Sequence, residues 1–140
     1  MFGFNKKKKK DKINPALMWE EEMTNLYTDS GLALDLKTYP EELLTYGLSY
    51  LSEFLRVHRE KDKLAGEIKL KFLILFGNLS QSEAENLSKR IERVTSSSDP
   101  LLFELIFLGV ETYTLQVEGR GESLRTRGEQ IKNLLKEKTI

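Results

Sequence analysis

Acid–base and metal chemistry need His, Cys, Asp, Glu or Lys gathered in one place. The 140-residue chain has one histidine, His58, and no cysteine. His58 sits in the run His58-Arg59-Glu60-Lys61-Asp62-Lys63, which reads as solvated surface. A single imidazole without thiolates does not make a zinc site. Helical bundles also bind metals through Glu-x-x-His pairs, and the chain has none. The sequence therefore nominates no catalytic, cofactor-binding or metal residue, and the expectation is a non-enzymatic protein without a cofactor.

Two carboxylates stand out by their neighbours. Glu104 interrupts the apolar run 101–110, and Glu111 lies two turns further along the same face. Pointing inward, each would need a partner or a raised pKa. Charged side chains are seldom buried unpaired, so both are read as marking the outer edge of their helix. Gly119-Arg120-Gly121 offers glycines and a cation, yet its spacing matches no phosphate-binding loop. It reads as a helix break. Arg120, Arg125, Arg127 and Lys132 are expected to form a second basic surface.

The plainest chemical feature is the N-terminal stretch MFGFNKKKKKDK. Formal charge over the whole chain is zero, with 22 basic and 22 acidic residues. Residues 1–12 hold six of the lysines and one aspartate, which leaves 16 basic and 21 acidic residues elsewhere. The tail is thus +5 and the body −5. Like charges at this density stay solvated, so residues 1–12 are expected to be disordered. Lys6, Lys7, Lys8, Lys9, Lys10 and Lys12 suit anionic headgroups or phosphates. Phe2 and Phe4 add the second signal that stable membrane anchoring generally needs. Nucleic acid ranks below the membrane, because a −5 body would repel a polyphosphate lying across it.

The apolar periodicity tells which elements must carry these groups. From 41 to 79 the leucines and phenylalanines recur at steps of three and four, which is a helical stripe. The charged run at 58–63 leaves two options, a break or one long helix with an exposed waist. Asn14-Pro15, Pro40 and Asp99-Pro100 each read as helix starts. Ser80-Gln81-Ser82-Glu83 fits a capping box. Gly31 reads as a helix end. The run 101–110 is apolar nearly all round and is expected in the middle of a bundle, and 122–138 is expected to form a final amphipathic helix. No uninterrupted apolar run reaches the roughly 20 residues that span a bilayer, and the N-terminus does not read as a secretory signal.

The expected fold is all-α, an antiparallel bundle of about five helices over residues 13–140 after the basic tail. The alternative is α+β, with short strands near 32–38, 67–76 and 111–118, where apolar residues alternate. The expected function is a cytoplasmic helical adaptor or scaffold. It would bind protein partners through its helix faces, with self-association a further option, and would be held at the inner membrane surface by its tail. Tyr27, Tyr39, Tyr46 and Tyr50 are read as interface or core-edge residues. The competing reading is a small helical subunit of a nucleic-acid-binding complex.

Overall fold

The computed structural model describes residues 13–119 and 123–138. The described residues form seven helices and no strand: α1 (Pro15–Ser30), α2 (Asp35–Thr38), α3 (Pro40–Val57), α4 (Asp62–Gly77), α5 (Gln81–Glu92), α6 (Pro100–Glu118) and α7 (Leu124–Lys138). The chain is therefore all-α, and the strand alternative is overturned at all three places. Residues 35–38 form a single helical turn, 67–76 lie inside α4 and 111–118 lie inside α6. The alternation at 67–76 yields to the helical period because Ile68, Phe72 and Leu73 can all face the core from one side. The helix count exceeds the expected five because 41–79 divides and the one-turn α2 is added.

Local chemistry sets the ends. The Asn14 side chain accepts from the Ala16 amide at 3.1 Å, and Asp99 accepts from Leu102 at 3.1 Å. At the start of α5, Ser80 Oγ accepts from the Glu83 amide at 3.1 Å while Glu83 Oε1 accepts from the Ser80 amide at 2.8 Å. This is the reciprocal capping box. Gly31 takes up φ +77° and ends α1.

The break between α3 and α4 falls at Arg59, a non-glycine residue at φ +59°. There the Glu60 amide reaches back to the Leu55 carbonyl at 2.9 Å and closes α3. The break falls inside the charged run 58–63, where a break was one of the two options, and Arg59 takes a left-handed position more often held by glycine.

Helix α3 is the axis of the molecule. Every residue from 42 to 51 is buried, because α1, α2, α4 and α6 all pack around it. Its most extensive partner is α6, which approaches at Gly109. A Cβ at Gly109 would stand 2.7 Å from Ser49 Cβ and 3.0 Å from the Tyr50 amide nitrogen. Only the missing side chain lets the two backbones come that close. Tyr46 and Thr112 cross this contact, with the tyrosine hydroxyl donating to Thr112 Oγ1 at 3.1 Å.

Two aromatic groups fill the flanks. Trp19, Tyr27, Phe72 and Phe76 join α1 to α4, and Tyr50, Phe54, His58 and Tyr113 join α3 to α6. Each fully buried large side chain contributes roughly 1.5–3 kcal/mol of hydrophobic stabilisation.

Candidate functional site

Helix α5 packs chiefly on α4, and α6 chiefly on α3. Nothing draws α5 and α6 together, so a groove of about 710 Å³ opens between them. Leu48 and Ile91 floor it, with Leu70, Ile106 and Val110 on its walls. Lys69, Glu85, Lys89 and Glu92 line it with mixed charge.

The α6 side of this groove continues into an open apolar face. Phe103 is 44% exposed, Phe107 60% and Val117 57%. This corrects the expectation that the apolar run would lie in the middle of the bundle. Leu102, Leu105, Leu108, Thr112 and Tyr113 are buried on one side of α6, while the aromatic side is uncovered. Phe103, Phe107, Val110, Thr114 and Val117 follow one another at steps of four, three, four and three. That spacing is the seam of a coiled coil. Alongside it run Glu104, Glu111 and Glu118, seven residues apart. The sequence signal for the seam was the heptad spacing itself, masked by the unbroken apolarity of 105–110.

Helix α6 has 19 residues and a mean hydropathy of 1.2, with 33% of that window buried. By length and composition it is the one helix among the described residues long and apolar enough to cross a membrane. Glu104 and Glu111 interrupt its apolar residues, so it contains no uninterrupted run of that length.

Glu104 is exposed. Glu111 is partly exposed and binds Arg127 of α7 at 2.8 Å. Glu104 thus lies at the outer side of α6, as its residue type implied, whereas Glu111 is drawn to a partner on α7. Of the proposed second basic surface, Arg127 points inward to Glu111 with a side chain 10% exposed. Lys132 stands 3.9 Å from Asp35 and, with Arg125, close to Gly31 at the end of α1. These cations complement carboxylates and a helix C-terminus. Arg120 lies outside the described residues, as do Phe2, Phe4, Lys6, Lys7, Lys8, Lys9, Lys10 and Lys12.

His58 is not the free surface residue its neighbours implied. It is half-buried, edge-on to Phe54 with ring centroids 4.9 Å apart, and its Nε2 lies 3.0 Å from the Tyr113 hydroxyl. Tyr50 donates to Glu22 at 2.7 Å beside them. Burial, reinforced by Glu22 and Glu53, pushes the Tyr113 hydroxyl up to about 12. Burial, then the Glu22 carboxylate, holds Tyr50 far above its ordinary value. The pair remains protonated at neutral pH and acts as a hydrogen-bonded brace. Tyr27 and Tyr46 are likewise core residues, and only Tyr39 of the four named tyrosines is partly exposed.

Among the described residues no group of three or more His, Asp or Glu is placed to hold a metal. A second, smaller hollow of about 350 Å³ lies between α3 and α5, lined in part by Glu41 and Arg90, which pair with each other. The chain matches no protein-family model, no curated protein and no solved structure.

Proposed function

We propose that the chain is a non-enzymatic helical adaptor, whose body binds a protein partner and whose lysine-rich tail holds it against an anionic membrane. The observation that carries this reading is the uncovered seam on α6 beside the α5–α6 groove. Large exposed apolar patches rimmed by polar residues mark interaction surfaces. The tail supplies the second half. Each lysine near an anionic bilayer contributes about 1 kcal/mol, and Phe2 and Phe4 add apolar insertion. Binding to nucleic acid ranks lower, since Arg127 and Lys132 already face carboxylates.

Vesicle co-sedimentation tests the tether. The full chain is compared with a variant in which Lys6, Lys7, Lys8, Lys9 and Lys10 are all glutamine, on anionic and neutral vesicles, with duplex DNA as a parallel ligand. The expected result is sedimentation with anionic vesicles that is lost in the glutamine variant. Failure of the full chain to sediment with anionic vesicles, or a preference for DNA, overturns the tether.

A further inference from the structure

We propose that the α6 seam and the adjoining groove dock an amphipathic helix of a partner protein, one that carries a basic flank. This rests on the adaptor reading above and names its partner's chemistry. The seam Phe103, Phe107, Val110, Thr114 and Val117 has the spacing that receives the apolar edge of another helix. The groove beside it gives that helix a second wall at Leu70, above a floor of Leu48 and Ile91. An apolar edge alone would accept many occupants, and charge discriminates among them.

Glu104, Glu111 and Glu118 form an acidic row along one border of the seam, in which Glu111 also pairs with Arg127 of α7 and Glu104 is exposed to solvent. In coiled-coil terms they occupy the flanking position that faces the border of the incoming helix. Lysine or arginine there would meet the row favourably.

A second copy of this chain fits poorly. Laid antiparallel, α6 on α6 would set one glutamate row against the other. Laid parallel, the row would meet the side of the seam that carries Ile106 and the buried Tyr113. An anionic lipid surface also fits poorly, because the same row would press against the headgroups. A basic amphipathic helix satisfies both the seam and the row.

The probe is a synthetic heptad-repeat peptide about 21 residues long, with leucine along its seam and lysine on its flanks. A twin peptide carries glutamate in place of lysine. Binding to the full chain is read by fluorescence anisotropy. The lysine peptide is expected to bind at least about tenfold more tightly than its twin, with the difference shrinking as salt is added. Phe107→Asp should weaken it by about tenfold or more, as loss of a central aromatic anchor does. Glu104→Lys should lower affinity for the lysine peptide and raise it for the glutamate peptide. Both positions are exposed, so circular dichroism is expected to stay native and to exclude unfolding as the cause.

Equal binding of the two peptides, no binding of either, or binding indifferent to Phe107→Asp overturns the proposal. So does a dimer in sedimentation velocity that Phe107→Asp converts to monomer, since a second copy would then hold the seam. Release from neutral vesicles by Phe107→Asp would assign the seam to lipid and overturn it as well. A large gain in peptide affinity on replacing the tail lysines by glutamine would assign it to the chain's own tail. Peptide binding is measured without vesicles, so the tether can fail while the docking face stands, and the reverse.

Discussion

The hydroxyl of Tyr27 occupies the space that a side chain at Gly47 would need. It donates a 2.7 Å hydrogen bond to the Leu43 carbonyl, across the turn of α3 that ends at Gly47. Phe72 closes the same space, 2.8 Å from where a Cβ would be. The glycine in the central helix is thus matched to an aromatic side chain from α1. Gly47→Ala is expected to destabilise the fold by about 1–3 kcal/mol, the usual cost of overpacking. In a Tyr27→Phe background the same substitution should cost less, because the hydroxyl is gone. A double-mutant cycle by chemical denaturation measures the coupling, and additive effects would show that Tyr27 does not impose the glycine.

Gly109 and Gly66 form an opposed pair of helical glycines. Any side chain at Gly109 meets the backbone of α3, whereas a Cβ at Gly66 meets nothing within 4 Å. Gly109→Ala should therefore destabilise by about 1–3 kcal/mol. Gly66→Ala should stabilise by about 0.5–1 kcal/mol, through the helix propensity gained and the unfolded-state entropy removed. Thermal melts of the two variants must move in opposite directions for the close α3–α6 crossing to hold.

The two glycines also show what the sequence could and could not reveal. Caps and breaks governed by local chemistry were legible: Asn14-Pro15, the Ser80–Glu83 box, Asp99-Pro100 and Gly31 all act where their residue types place them. So were the stripes, since Met23, Leu43, Leu51, Phe54 and Phe72 are all fully buried or nearly so. Features decided by another element were not legible. Arg59 adopts a left-handed conformation that its residue type disfavours, and only the packing of α4 against α3 and α1 requires the turn there. His58 gains its partner from Tyr113, 55 positions away in sequence. Leu75 keeps the period of α4 yet is 58% exposed, because Leu73 takes the inward place. The open side of α6 belongs to this class as well. An apolar run shows that burial is favourable, and only the positions of α3 and α5 show which side lacks a cover.

Two phenylalanines separate core from surface experimentally. Phe72 is fully buried beside Tyr27 and Phe76, and Phe107 is 60% exposed. Phe72→Asp should abolish the fold by placing an unpaired charge in the core, as should Leu51→Asp. Phe107→Asp should change stability by no more than about 0.5 kcal/mol. Circular dichroism and urea titration distinguish the three. A native spectrum for Phe72→Asp would mean that α4 does not pack as described.

The buried tyrosines make the protein sensitive to alkali. Burial raises Tyr46 and Tyr113 from 10.0 to about 12, and raises Tyr27 and Tyr50 in the same direction. Above pH 10 an unfolded tyrosine loses its proton while these remain protonated in the fold. The unfolded state then binds fewer protons, so stability falls as pH rises. Stability from this source is complete below pH 10 and declines between 10 and about 12, by up to about 1.4 kcal/mol per pH unit for Tyr46 and by less for Tyr113, whose hydroxyl is less enclosed. Urea midpoints across this range, read together with tyrosinate absorbance, check the sign. Tyr39 is partly exposed, so tyrosinate from more than one of the five tyrosines before any unfolding would show that these hydroxyls are not enclosed.

Arg127 provides the last test, because its burial makes Glu111 structural as well as a member of the acidic row. The side chain is 10% exposed, its guanidinium holds Glu111 at 2.8 Å, and it lies near enough to Tyr46 to oppose the rise that burial causes there. Glu111→Ala would leave this cation enclosed and unpaired, a change expected to cost about 1–3 kcal/mol or more. Arg127→Met combined with Glu111→Leu removes both charges and retains the bulk, and such exchanges are often neutral or stabilising. The double variant should therefore recover most of the stability that Glu111→Ala loses. If Glu111→Ala alone proves neutral, water reaches Arg127 and α7 is docked more loosely than its buried Ile131 and Leu135 imply.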